Sequence, residues 1–142
     1  MLRLIGFMLV SMVSALVLIG CSSANSADIQ TSLNQQFTLP IGKTASVSGE
    51  NLYLKFLAVT GDSRCPSGAQ CIWAGEAACS VEIKYNGQTS DIVLTAPGLT
   101  PDNNQNILNH YELNFQLAPY PELGKQISNS EYKLLLRISK SP

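Results

Sequence analysis

Val81-Glu82-Ile83-Lys84-Tyr85-Asn86-Gly87-Gln88-Thr89-Ser90-Asp91-Ile92-Val93-Leu94-Thr95 decides the fold class. Val81, Ile83 and Tyr85 alternate with Glu82 and Lys84, so one face of an extended segment is apolar and the other polar. Asn86-Gly87 follows at once. Both central residues of a two-residue hairpin turn need a positive φ, and Asn-Gly meets that need better than almost any other pair. Gln88 to Thr95 is then the returning strand, with Ile92 and Leu94 on one face.

The same period recurs on both sides of this hairpin. Tyr111, Leu113, Phe115 and Leu117 alternate with Glu112, Asn114 and Gln116. Tyr132, Leu134, Leu136 and Ile138 alternate with Lys133 and Arg137. Leu52, Leu54 and Phe56 form another inward set, although Leu57 and Val59 make that strand apolar on both sides. Thr44 to Val47 and part of the Phe37-to-Ile41 segment give weaker strands. No stretch after Cys21 shows a helical period. Pro97-Gly98, Pro101-Asp102 and Pro119-Tyr120-Pro121 punctuate the longer connections. Six or seven strands in about 105 residues lead us to expect an all-β domain, an antiparallel and immunoglobulin-like sandwich. A small β-barrel is the alternative, because both architectures alternate inward and outward.

The N-terminal residues are of a different kind. Arg3 precedes an apolar run from Leu4 to Ile19, and Gly20 and Cys21 close it. The run is about 16 residues long, short of the roughly 20 that span a bilayer as a helix. No basic cluster follows it, and Ser22 to Ser26 is small and polar. Leu18-Ile19-Gly20-Cys21 resembles the lipobox of bacterial lipoproteins. The resemblance implies removal of residues 1–20, and a thioether-linked diacylglycerol with a further acyl chain such as palmitate on Cys21. Two or three chains hold a protein stably where one does not. Ser22, in place of the aspartate that favours inner-membrane retention, implies the outer membrane in a Gram-negative cell. The expected organisation is a signal peptide over 1–20, a lipidated flexible tether over 21–35 and a folded domain over 36–142.

Cleavage would also change the composition. All three methionines and Arg3 lie before Cys21, so eight basic residues remain against ten acidic ones. That balance offers no basic patch for nucleic acid. The remaining residues suffice for one domain with its own core.

The densest signal is Asp62-Ser63-Arg64-Cys65-Pro66-Ser67-Gly68-Ala69-Gln70-Cys71-Ile72-Trp73-Ala74-Gly75-Glu76-Ala77. It is similar to a segment of small, largely uncharacterised bacterial secreted proteins and lipoproteins, in which Asp-Ser-Arg-Cys-Pro precedes a second Cys and a Trp-x-Gly. The resemblance implies a β-sandwich and no particular activity. Pro66 and Gly68 let the chain reverse between Cys65 and Cys71, and a disulfide is expected there in an oxidising compartment. Closing so short a loop is worth about 2.4 kcal/mol in the chain-entropy picture. A Cys65–Cys79 bridge stays open if the loop folds back. Cys79 otherwise continues the inward register of Val81 and Ile83 as a buried thiol.

Trp73 has two roles open to it. We expect a core anchor packing over the bridge; the other role is an exposed aromatic on a binding loop. Asp62 and Arg64 either contact a partner or serve the loop, Asp62 capping the turn and Arg64 pairing with Glu76 or Asp62. Asp62, Arg64, Trp73 and Glu76 are therefore the candidate partner-binding residues.

The remaining residues carry no catalytic pattern. His110 stands alone before a strand, and Ser63 and Asp62 have no spacing that ties them to it. No Gly-x-Ser-x-Gly elbow, helix-borne Cys-x-x-Cys or phosphate-cradling glycine loop occurs. Cys65, Cys71, Cys79 and His110 do not have zinc spacing, so neither metal nor cofactor is expected. The expected function is a non-enzymatic, lipid-anchored module of the cell envelope. It would hold the membrane through Cys21 and bind an envelope protein or polymer through its loops. The alternatives are an accessory structural lipoprotein and an enzyme of unrecognised type.

Overall fold

The computed structural model describes residues 27–99, 103–108 and 110–142. The expected signal segment, Cys21 and the start of the tether lie outside the described residues. Among the described residues nine strands form: β1 (Ile29–Thr31), β2 (Gln36–Pro40), β3 (Thr44–Val47), β4 (Leu52–Asp62), β5 (Glu76–Tyr85), β6 (Gln88–Pro97), β7 (Asn103–Ile107), β8 (Tyr111–Ala118) and β9 (Lys133–Lys140). One sheet has the order β1-β3-β4-β5-β6 and the other β2-β9-β8-β7. The sheets face each other without closing, so the fold is a β-sandwich and the barrel alternative falls away.

The hairpin that announces the fold is present as read. Asn86 has φ 48° and Gly87 φ 84°, and Tyr85 pairs with Gln88 across the two-residue turn. Val81 and Ile83 are buried, as are Tyr111, Leu113, Phe115 and Leu117 on β8, and Leu134, Leu136 and Ile138 on β9. Each large side chain so buried contributes roughly 1.5–3 kcal/mol. The double-sided apolarity of β4 has a physical cause. Its register against β5 shifts between Phe56 and Ala58 and again between Val59 and Gly61. Each β-bulge adds an unpaired residue and breaks the period of two. Phe56 stays in the core, and Val59, opposite Cys79, packs against it from the edge.

Three features differ from the expectation. The strand count rises from six or seven to nine, because β1 and β7 are short and lack an apolar alternation. The folded domain starts before Gln36, because β1 lies within the stretch read as tether. Ile29 packs against the core and Thr31 is buried. Finally, β1 runs parallel to β3, with Ile29 opposite Ala45 and Thr31 opposite Val47, so the sheets are not wholly antiparallel. The connectivity is also simpler than that of an immunoglobulin constant domain, whose sheets are ABED and CFG. Here β3 to β6 and β7 to β9 are two meanders.

The registers define two ends. Asp62, Glu76, Pro97, Ala118 and Lys133 lie at one, which we term the loop end. Leu52, Tyr85, Tyr111 and Lys140 lie at the other. There Glu50 accepts a hydrogen bond from the Tyr111 hydroxyl at 2.6 Å and pairs with Lys140 at 2.9 Å.

The early start of the domain has a measurable consequence. A chain beginning at Gln36 should be less stable in urea than one beginning at Ala27, by about 2 kcal/mol for the lost burial of Ile29 and Thr31. Equal unfolding midpoints would show that β1 adds nothing to the sandwich.

Candidate functional site

The loop between β4 and β5 is built from its base outward. Ser63 bridges the two strand ends. Its amide and hydroxyl both donate to the Glu76 carbonyl, at 2.8 and 3.0 Å, and its hydroxyl oxygen accepts from the Glu76 amide at 3.3 Å. The Cys65 amide then donates to the Ala74 carbonyl at 2.8 Å. Two glycines permit the close passage of backbone. A Cβ on Gly75, whose φ is +69°, would stand 1.9 Å from the Ser63 carbonyl oxygen. A Cβ on Gly98 would stand 2.0 Å from that of Ala74. Beyond the base, Cys65 and Cys71 form the expected disulfide, with a Cα separation of 6.0 Å.

Arg64 connects this loop to the second sheet. Its Nε and Nη2 donate to the two carboxylate oxygens of Asp62 at 2.9 and 2.7 Å, a bidentate pairing. Nη1 reaches the Leu117 carbonyl at 2.8 Å and Nη2 the Pro119 carbonyl at 3.0 Å. The guanidinium also lies 5.0 Å from the centre of the Tyr120 ring. The Tyr132 hydroxyl donates to Asp62 Oδ2 at 3.0 Å, and the Tyr120 hydroxyl to the Cys65 carbonyl at 3.0 Å. Side-chain exposure is only 3% for Arg64 and 8% for Asp62, so both charges are desolvated and depend on these partners. Further out, the Ser67 amide donates to the Pro121 carbonyl, and the Leu123 amide donates to that of Ser67.

The electrostatics agree with a structural role. Burial alone would raise the Asp62 carboxyl, but hydrogen bonds and charge from Arg64, with the Tyr132 hydroxyl, outweigh it and hold the group below the ordinary aspartate range. Burial pushes the Tyr132 phenol up to about 12, and its bond to Asp62 adds to the shift. Burial likewise pushes the Cys79 thiol up to about 12, which leaves it protonated and unreactive at neutral pH. Cys79 is free and buried, and the Cys65–Cys79 alternative is excluded.

The candidate residues therefore separate into two groups. Asp62 and Arg64 turn inward and brace the loop, and Arg64 pairs with Asp62 and not with Glu76. Glu76 is exposed at the start of β5. Trp73 is 66% exposed, which corrects the expectation of a core anchor. Ile72 beside it is fully exposed, and Leu99 and Leu123 are also mostly exposed. These last three were not singled out from the sequence, although Ile72-Trp73 is an unusual apolar pair in a polar loop.

Hydrogen bonds bring the segments that carry these residues to the same end of the sandwich. The Gly98 amide donates to the Gly75 carbonyl, the Leu99 amide to the Tyr120 hydroxyl, and Leu123 lies against Gly68. These four exposed apolar side chains thus lie at the loop end, which we term the apolar tip, above a braced base. A cavity of about 300 Å³ lies beside it, lined by Arg64, Ala96, Leu99, Asn103, Leu117 and Tyr120 among others. His110 stands at the opposite end, its ring 6.4 Å from that of Tyr85, so it forms no triad with Ser63 and Asp62. No protein-family model matches the chain, and searches of curated proteins and of solved structures find no match either.

Removing one member of a buried, hydrogen-bonded ion pair strands the other. Arg64→Ala should therefore lower the unfolding free energy by about 3–5 kcal/mol, whereas Glu76→Ala should stay within about 0.5 kcal/mol of the parent. Urea titration distinguishes the two, and a neutral Arg64→Ala would remove Arg64 from the brace. The lowered Asp62 pKa adds a pH signature. Its stabilisation is complete above the ordinary aspartate value near 3.9 and disappears as pH falls through the lower folded value. The loss of stability between about pH 5 and pH 2 should be shallower in Asp62→Asn than in the parent; equal slopes would contradict the pairing.

Proposed function

We propose that this protein is a non-enzymatic, lipid-anchored binding module of the cell envelope that makes its contact through the loop end. The single observation that carries this reading is the display of Ile72 and Trp73. A disulfide and a buried ion pair hold the segment behind them, while both large side chains face solvent. Large apolar groups exposed side by side in sequence on a braced loop are a usual physical form of a contact surface. Their rigidity also limits the entropy lost on binding. The lipobox resemblance at Leu18–Cys21 supplies the anchor and the compartment, and the disulfide agrees with an oxidising one.

The chemistry supports an apolar contact over a charged polymer. Arg64 and Asp62 neutralise each other inside the protein, and Glu122 pairs with Lys125 on the adjacent segment. The sandwich behind the tip acts as a scaffold. Cys79 is too deeply buried for a nucleophile, and His110 is remote, so the sequence's non-enzymatic expectation remains our reading.

A photo-crosslinking residue placed at Ile72 in cells should capture an envelope component, whereas one at Gln88, at the opposite end, should not. Adding Trp73→Asp should abolish capture at position 72 without shifting the melting temperature. Equal capture from positions 72 and 88, or capture indifferent to Trp73→Asp, would refute a contact surface at the loop end.

A further inference from the structure

We propose that the apolar tip of Ile72, Trp73, Leu99 and Leu123 docks onto the bilayer to which the chain is anchored, and so fixes the orientation of the domain. This inference rests on the lipid-anchor reading above and names the occupant of the same surface.

The direction of the first strand is the main argument. Thr31 lies opposite Val47, and Val47 opposite Leu52, at the end of the sheet farthest from Asp62. β1 therefore runs away from the loop end, and the chain before Ile29 comes from the loop side. Asp28 is fixed at that point, accepting from the Thr44 amide at 3.0 Å and pairing with Lys43 at 3.1 Å. Thr44 lies opposite Lys55 on β4.

Chain length supplies the second argument. Ala27 follows Cys21 by six residues, which reach at most about 20 Å. From Lys55 to Asp62 the two bulges shorten β4, and the paired β5 residues Glu82 and Ala77 are five steps apart, about 17 Å at ~3.3 Å per residue. A chain of that length lets an anchor at Cys21 reach the depth of the loop end.

The chemistry of the tip is the third argument. Trp73 and the partly exposed Tyr120 are side chains that favour the boundary between headgroups and acyl chains. Ile72, Leu99 and Leu123 are aliphatic and mostly exposed. The tip lacks a basic cluster, so its attachment should be apolar and depend little on salt. The acyl chains hold the protein, and the tip sets its tilt. Tyr85, His110 and the Glu50–Lys140 pair then face away from the membrane.

Trp73 is the sole tryptophan of the chain, so its fluorescence reports on the tip alone. The experiment uses full-length, lipidated protein reconstituted into phosphatidylethanolamine–phosphatidylglycerol vesicles, with the lipid on Cys21 verified by mass. The expected result is emission at shorter wavelength than that of a chain beginning at Ala27 in detergent-free solution. It includes quenching by lipids brominated near the headgroup and protection from aqueous iodide, at low and high salt alike. Ile72→Ser with Leu123→Ser should restore iodide quenching while the melting temperature stays unchanged. Vesicle-bound, lipidated protein whose Trp73 remains open to iodide would overturn docking and leave the anchor intact. A blue-shifted Trp73 that brominated lipid does not quench would assign the tip to a second protein copy and also overturn it. Absence of lipid on Cys21 would overturn the anchor reading and this inference together.

Discussion

The Arg64 guanidinium, held between the Asp62 carboxylate and the carbonyls of Leu117 and Pro119, is the constraint on which the loop end depends. A long loop between neighbouring strands, here residues 63–75, would ordinarily be free to sway. Here its second residue after the strand, Arg64, is fastened to the opposite sheet. Such a fastening is costly to build, because two charges leave water, and it holds only if nearly every donor is used. The bidentate carboxylate and two carbonyls take four of the five guanidinium donors, the Tyr120 ring lies nearby, and Tyr132 donates to the carboxylate as well. The cis peptide between Ala118 and Pro119 lies beside this arrangement.

The disulfide has a different and more local effect. It joins residues six apart and shapes the outer turn of the loop, whereas the ion pair fixes where that turn sits on the sandwich. Ser67 and Leu123 then tie the outer turn to the segment after β8. The residues of the Asp-Ser-Arg-Cys-Pro segment are thus spent on support: Asp62 and Arg64 as a pair, Ser63 as a bridge of strand ends, Cys65 in the disulfide. Presentation falls to Ile72 and Trp73. A membrane-proximal or partner-facing tip needs both parts, since apolar side chains on an unsupported loop would collapse onto the protein's own surface.

Much of this was legible in the sequence wherever a local rule applies. Asn86-Gly87 specified its turn, and the alternation from Tyr111 to Leu117 and from Tyr132 to Ile138 specified two central strands. Cys65 and Cys71 were close enough in sequence for the bridge to be read. Asp62 and Arg64 stood two residues apart, so their pairing was among the alternatives. The carbonyls of Leu117 and Pro119 lie more than fifty residues away and carry no side-chain signature, so their part in the brace was not readable. β1 and β7 were missed because a three-residue edge strand and the polar Asn103–Ile107 segment show little apolar period. Trp73 was misplaced because composition favours burial of an aromatic. Its exposure depends on how the loop is laid over the end of the sandwich, which only the folded chain determines.

Native-state hydrogen exchange at the Cys65, Ser67 and Leu123 amides tests the brace most directly, measured with the Cys65–Cys71 disulfide intact and then reduced. If Arg64 fixes the loop, these amides exchange about as slowly as the paired amides of β8 and β9, and most of that protection survives reduction. Exchange as fast as that of open surface amides, or protection lost entirely on reduction, would show that the loop is not held to the second sheet and would contradict the account.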